Sequence, residues 1–192
     1  IEQYPDSKLV PEAKERLREV QEVLGEREFR IGHFYYTRES WPAAIARLKS
    51  LADTYPLYSR ADEALFLLGH ANEQDMTILA NDTRDPQARR KRATDLFREN
   101  AVQAYDRIIT RYPAGNFTDD AAKQLEALHA PIPKATPAAV KENKAEIASR
   151  GETGMRGKVM GNFSRHPDFD TATKVGEPTL ADPRQASAPE IS

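Results

Sequence analysis

From Val10 to Leu128 apolar residues return every three or four positions, with polar residues between them. Leu17, Val20 and Leu24 form one stripe, and Ile45, Leu48, Leu51 and Ala52 a second. Leu65, Leu68, Ala71 and Asn72 form a third, and Ala101, Tyr105, Ile108 and Ile109 a fourth. This is the period of a helix that buries one face. No stretch alternates with period two long enough to make a strand, so the expected fold is all-α. The pattern predicts one helix of about 28 residues from Val10 to Arg38, since no proline interrupts it after its first turn. Gly25 and Gly32 are its weak points, each costing about 1 kcal/mol relative to alanine. A partner helix is expected at Trp41–Tyr55, with Ser40 as cap and Pro42 in the first turn. A turn is expected at Asn81-Asp82…Asp85-Pro86, followed by a long helix at Gln87–Arg111.

The stripes belong to an internal repeat. Tyr-Pro occurs at Tyr4-Pro5, Tyr55-Pro56 and Tyr112-Pro113. At a fixed distance after each proline come an acidic residue and an alanine: Glu12-Ala13, Glu63-Ala64 and Asp120-Ala121. Four residues beyond each alanine stands leucine: Leu17, Leu68 and Leu125. Proline stops the preceding helix, and the acidic residue suits the positive end of the next. Alanine lets two helices approach closely, and leucine fills the seam between them. Units of this kind bury their apolar stripes by stacking on one another. The pattern is similar to the tetratricopeptide repeat. In its register Ile31-Gly32 take the apolar–small pair, Tyr35 the following aromatic, and Trp41, Ala44, Leu48 and Leu51 the second helix. The next copy is stretched by about 20 residues around 77–96. The expected architecture is a tetratricopeptide-like α-α superhelix of antiparallel helix pairs over residues 1–130.

Composition changes the picture after residue 130. Residues 131–192 hold seven of the 13 prolines and five of the nine glycines, with two aromatics, Phe163 and Phe169. Such a segment buries too little apolar surface to offset the entropy of ordering, and it is read as a largely disordered tail. One short helix is expected at 137–149, capped by Thr136 with Pro137 at its first position. Gly151, Gly154, Gly157 and Gly161, with Met155, Met160 and Phe163 between them, read as a linker or a docking peptide.

Charge and residue content narrow the function. Lys+Arg total 28 against 30 Asp+Glu, which disfavours a nucleic-acid-coating protein. The run Arg89-Arg90-Lys91-Arg92 sits among Asp82, Asp85, Asp95 and Glu99 and reads as a solvated helix face. No cysteine is present, which excludes disulfides and thiolate sites. His33, His70, His129 and His166 are scattered without metal-ligand spacing. No phosphate loop or nucleophile elbow stands in a strand–turn–helix context. Phe34, Tyr35, Tyr36 and Trp41 are expected in the core. No enzyme and no cofactor are expected. The chain opens on Ile1, and Tyr4-Pro5 reads as the end of a helix begun upstream, so the sequence is expected to be a fragment or trimmed form.

The stretch Phe29-Arg-Ile-Gly-His-Phe-Tyr-Tyr-Thr-Arg-Glu-Ser-Trp-Pro-Ala-Ala-Ile-Ala-Arg-Leu, closing at Asp53-Thr-Tyr-Pro56, resembles the BamD family of outer-membrane assembly lipoproteins. Tyr4-Pro-Asp-Ser-Lys and Glu12-Ala-Lys-Glu-Arg-Leu17 resemble the repeat before it. The resemblance implies a non-catalytic scaffold of the machinery that inserts β-barrel proteins. It implies the periplasmic face of the outer membrane, with attachment through an N-terminal lipid upstream of these residues. Its implied partners are the POTRA domains of a BamA-like barrel component and other subunits of that machinery. Helix ends and loops are a repeat stack's polar contact surface. Arg38, Glu39, Tyr58 and Arg60 are therefore the expected partner-binding residues, among Thr37, Ser40 and Ser59. Arg38 and Arg60 either pair with carboxylates of the partner or are solvated surface charges worth under about 1 kcal/mol each, the second reading weighing more at Arg60. The alternative is a peptide-binding tetratricopeptide adaptor, with Asn72 on a concave face.

Overall fold

In the computed structural model the described residues are 1–84, 86–150 and 171–180. Six helices follow one another: α1 (Val10–Thr37), α2 (Trp41–Thr54), α3 (Ala61–Asn81), α4 (Gln87–Arg111), α5 (Thr118–Ala127) and α6 (Pro137–Ser149). No strand occurs among the described residues. Each helix from α1 to α4 packs on the next, α1 also touches α3, and α6 touches α4. The fold is a tetratricopeptide-like row of helix pairs. The stretch from Gly151 to Phe163, read as linker or docking peptide, lies outside the described residues.

The repeated Tyr-Pro marks the same turn three times. Tyr4, Tyr55 and Tyr112 each accept, at the backbone carbonyl, the amide three residues on: Ser7 at 3.2 Å, Tyr58 at 3.1 Å and Gly115 at 2.9 Å. The acidic residues lie in the first turns of α1, α3 and α5. Tyr55 and Tyr112 are buried at the ends of α2 and α4, and the Tyr112 hydroxyl donates to the Pro56 carbonyl at 2.9 Å. Adjacent turns are thereby tied together.

Small residues set the spacing of the pairs. A Cβ at Gly32 would stand 2.8 Å from Leu48 Cδ2, and one at Gly69 would stand 2.5 Å from the Tyr105 ring. These glycines weaken their helices locally but let the partner side chain lie against the backbone. Leu48, Leu51, Leu65, Ile108 and Leu125 fill the seams and are fully buried.

The first copy of the repeat differs from the others. Ala64, Ala71 and Ala121 are buried, whereas Ala13 and Leu17 are half-buried and Val20 is exposed. Length is the reason. At 1.5 Å per residue the 28 residues of α1 run about 42 Å and the 14 of α2 about 21 Å. The N-terminal half of α1 therefore projects past its partner.

Two caps behave differently. Thr136 accepts the Ala139 amide at 3.1 Å, closing the N-terminus of α6. Ser40 occupies the N-cap position of α2, but its side chain makes no capping bond. Pro42 has no N–H, so the first turn has one amide fewer to satisfy.

The Pro-rich segment after α5 contributes to the packing. α6 rests on the end of α4 through polar groups. Arg111 holds Glu146 at 2.5 and 3.1 Å, and Asn143 donates to Glu146 at 3.2 Å. Asn143 also accepts the Ala114 amide at 3.0 Å. Asn143 and Glu146 are the buried residues of this helix.

Candidate functional site

One long face of α1 carries the expected contact residues or meets them. Val23, Glu26, Arg27, Arg30, Ile31 and Phe34 follow at helical spacing and floor a groove of about 970 Å³, walled by Ser59, Arg60 and Thr171. Arg38 closes the far end, its guanidinium 4.6 Å above the Phe34 ring. Arg60 lies 3.9 Å above the Phe29 ring at the near end. Each arginine is thus laid over an aromatic ring of α1, where cation–π attraction restrains it.

The four expected residues do not form one cluster. Arg38 and Glu39 belong to the loop before α2, and Tyr58 and Arg60 to the turn after it. The length of α2 separates the two groups by about 20 Å. Glu39 adopts φ 55°, in the left-handed region, and turns the chain directly into α2. The exposed loop at Thr37 to Ser40 is otherwise held by its own backbone, with Arg38 and Ser40 donating to Tyr35 and Glu39 to Tyr36.

Tyr58 has a different place from that of an exposed contact. It is 2% exposed and packs against Gly25, where a Cβ would approach its ring to 2.8 Å. Its hydroxyl donates to Glu26 at 2.6 Å, and burial, then this bond, raises its pKa. Tyr58 supports the groove from beneath. Arg60 is engaged within the chain, donating to Glu63 at 2.8 and 3.0 Å and standing 3.7 Å from Glu26. The hydrogen bond to Glu63 is the chief cause of its raised pKa. Arg38, at the other end of the groove, is exposed.

Phe34 is also placed differently from the expectation. It was expected in the core, yet it is 50% exposed and stands edge-on to Tyr35. The seam with α2 is taken by Phe29, Gly32 and the side of Tyr36, which leaves Phe34 turned outward. Tyr36 and Trp41 are packed inward as expected, with the Tyr36 hydroxyl 2.7 Å from His70 Nδ1. Arg27, Arg30, Arg38 and Arg60 against Glu22 and Glu26 give the groove a cationic excess around an apolar floor. That arrangement suits an acidic protein surface carrying an apolar residue.

Other candidates resolve into ordinary structure. Asn72 is buried within α3 and donates to the Leu68 carbonyl at 2.8 Å, so it is not on a concave surface. The basic run opens α4, where Arg90 donates to the Asp82 carbonyl at 3.1 Å. Hydrogen bonds from Arg84 hold the Asp82 carboxyl down at about 2. Among the described residues no three His, Asp or Glu are grouped to hold a metal ion, and no helix is long and apolar enough to cross a membrane.

Stacked helix pairs with a groove along a long first helix define a tetratricopeptide-like repeat protein. The sequence model of the family described as "YfiO: Outer membrane lipoprotein" matches residues 1–87, which hold α1 to α3 and the lining of the groove apart from Thr171. The chain is similar to the outer membrane protein assembly factor BamD of Xylella fastidiosa strain 9a5c, at 30% identity over 89 residues. The same protein of strain Temecula1 matches to the same extent. The aligned residues are 46% of this chain and 29% of the relative, so the chain spans under a third of that protein's length. No solved structure matches the chain. The chain is BamD-like over α1 to α3; α4 to α6 and residues 171–180 lie beyond the family match.

Proposed function

We propose that the chain is a non-catalytic scaffold of outer-membrane β-barrel protein assembly, acting at the periplasmic face of the outer membrane. Its partners are other subunits of that machinery, and it docks on the POTRA domains of a BamA-like component. The observation that carries this reading is the α1 groove, whose lining residues apart from Thr171 fall within residues 1–87. Arg38 is the residue best placed to meet a partner carboxylate, and Phe34 beside it supplies the apolar anchor. Glu39 fixes the loop that presents Arg38. Arg60 contributes field and shape, since its own bonds are filled by Glu63.

Titration calorimetry of the full chain against POTRA domains from the same organism tests this. Arg38→Glu is expected to weaken binding about tenfold or more with the thermal midpoint unchanged. Arg60→Glu is expected to weaken binding less and to lower the midpoint. Equal affinity for Arg38→Glu and the unaltered chain would remove docking through this face.

A further inference from the structure

Residues 171–180 return from beyond α6 and cross the N-terminal half of α1, the half that projects past α2. Five side chains of α1 and α6 hold them. Arg18 donates to the Gly176 carbonyl at 3.1 Å and Gln21 to the Thr179 carbonyl at 2.6 Å. Lys14 meets the Glu177 carboxylate at 2.5 Å. Glu22 accepts the Thr171 hydroxyl at 3.0 Å on one oxygen and the Ser59 amide at 3.0 Å on the other. Ser149 accepts the Lys174 amide at 3.0 Å and lies 2.8 Å from the Thr173 hydroxyl.

Lys14, Arg18, Gln21 and Glu22 share one helix face by their spacing. Two of them read backbone carbonyls, which is how an extended segment without a ladder of its own has its polar groups satisfied. The other contacts are selective. Gly176 has φ +92°, and a Cβ there would stand 2.8 Å from Leu57 Cδ2, so both backbone and space call for glycine. Glu177 answers Lys14. Leu180 borders a cleft of about 490 Å³ with Leu17, Val20, Leu24 and Tyr55, the stripe that α2 leaves uncovered. Ala172 and Thr173 are buried by this arrangement.

We propose that this face of α1 is a binding site for an extended peptide of the form Gly-Glu-x-x-Leu, and that residues 171–180 are its occupant in cis. A partner segment of the same chemistry binds there only by displacing them. The site meets the near end of the α1 groove at Glu22 and Thr171 and lies away from Arg38.

The test uses the full chain and a labelled synthetic peptide with the sequence of residues 171–180. In the unaltered chain the peptide competes with a tethered copy of itself and binds weakly. Gly176→Val in the chain is expected to raise amide exchange over 171–180 and to tighten peptide binding about tenfold or more. A peptide carrying Gly176→Val is expected not to bind either chain. Lys14→Glu in the released chain is expected to weaken the peptide, and a peptide carrying Glu177→Lys to recover the loss. Unchanged exchange in the Gly176→Val chain would overturn the geometry. Release without any gain in peptide affinity would overturn the site. A dimer of the unaltered chain that dissolves on adding peptide would place the segment in trans and overturn the cis assignment.

Discussion

The seam between α3 and α4 and the seat of α6 are close neighbours with different chemistry. In the seam Leu65, Leu68, Ala71, Ala101, Tyr105 and Ile108 are buried against one another. Its one strong polar contact is the Tyr105 hydroxyl donating to Glu73 at 2.5 Å. At the seat the buried residues of α6 are Asn143 and Glu146, while Ile147 is 39% exposed. Dispersion and burial are summed over many atoms, so the seam yields by degrees when one side chain is trimmed. A charge pair is held by few bonds, and removing one partner strands the other. The repeats are therefore graded in their stability, and α6 is fastened or loose.

The largest expected effect is on the seam side. Leu48→Ala empties a fully buried position against Gly32 and should cost about 3 kcal/mol of global stability, read from denaturant midpoints. A loss below about 1 kcal/mol would mean that the α1–α2 seam is looser than its burial indicates. On the polar side, Glu146→Ala leaves Arg111 without its buried partner. The expected local cost is about 2 kcal/mol, less than for a fully buried pair because 26% of the Arg111 side chain meets solvent. Amide exchange over 137–149 should rise sharply while α1 to α4 keep their protection. Equal loss of protection throughout would show the two regions to be one cooperative unit.

The smallest effect separates them by pH. All seven tyrosines precede residue 113, and of the buried ones Tyr112 also borders the seat of α6, under Arg111, while Tyr58 and Tyr105 lie within the repeats. Burial, then hydrogen bonds to Glu26 and Glu73, raises the pKa of Tyr58 and Tyr105, and burial pushes Tyr112 up to about 12. An unfolded phenol releases its proton near pH 10, so the folded chain binds more protons above that point. The stability these groups contribute is complete below pH 10 and is lost as pH rises beyond it. About half a unit above pH 10 the loss is about 1 kcal/mol per phenol. Thermal midpoints between pH 9 and 11 should fall, and a Tyr58→Phe, Tyr105→Phe variant should fall less steeply. Parallel slopes would assign the alkaline loss to other groups.

The repeats were legible because their signals are periodic and local. Apolar spacing, Tyr-Pro punctuation and prolines in first turns located α1, α2 and α4 within a residue. Thr136 and Pro137 located α6 in the same way. What holds α6 was not legible. Arg111 and Glu146 are 35 positions apart, and Arg18 and Gly176 are 158 apart, with no recurrence to mark either pair. Nor did the sequence distinguish Phe34 from Phe29. Both stand on apolar-rich α1, and their fates are decided by which face Gly32 offers to Leu48. At the proposed docking surface, the exposure of Arg38 was readable from its loop. The burial of Tyr58 was not, because a polar turn does not announce that Gly25 opens room beneath it.

The bond from the Tyr112 hydroxyl to the Pro56 carbonyl has a mechanical consequence. It stitches two successive turns along one margin of the stack. At the other margin the linkers bond within themselves, as Glu39 does to Tyr36 and the Arg84 amide to Asp82. A row of hairpins stitched along one margin keeps its length there, as a book does at its spine. Any change in the curvature of the stack therefore pivots on the margin that joins Tyr112 to Pro56.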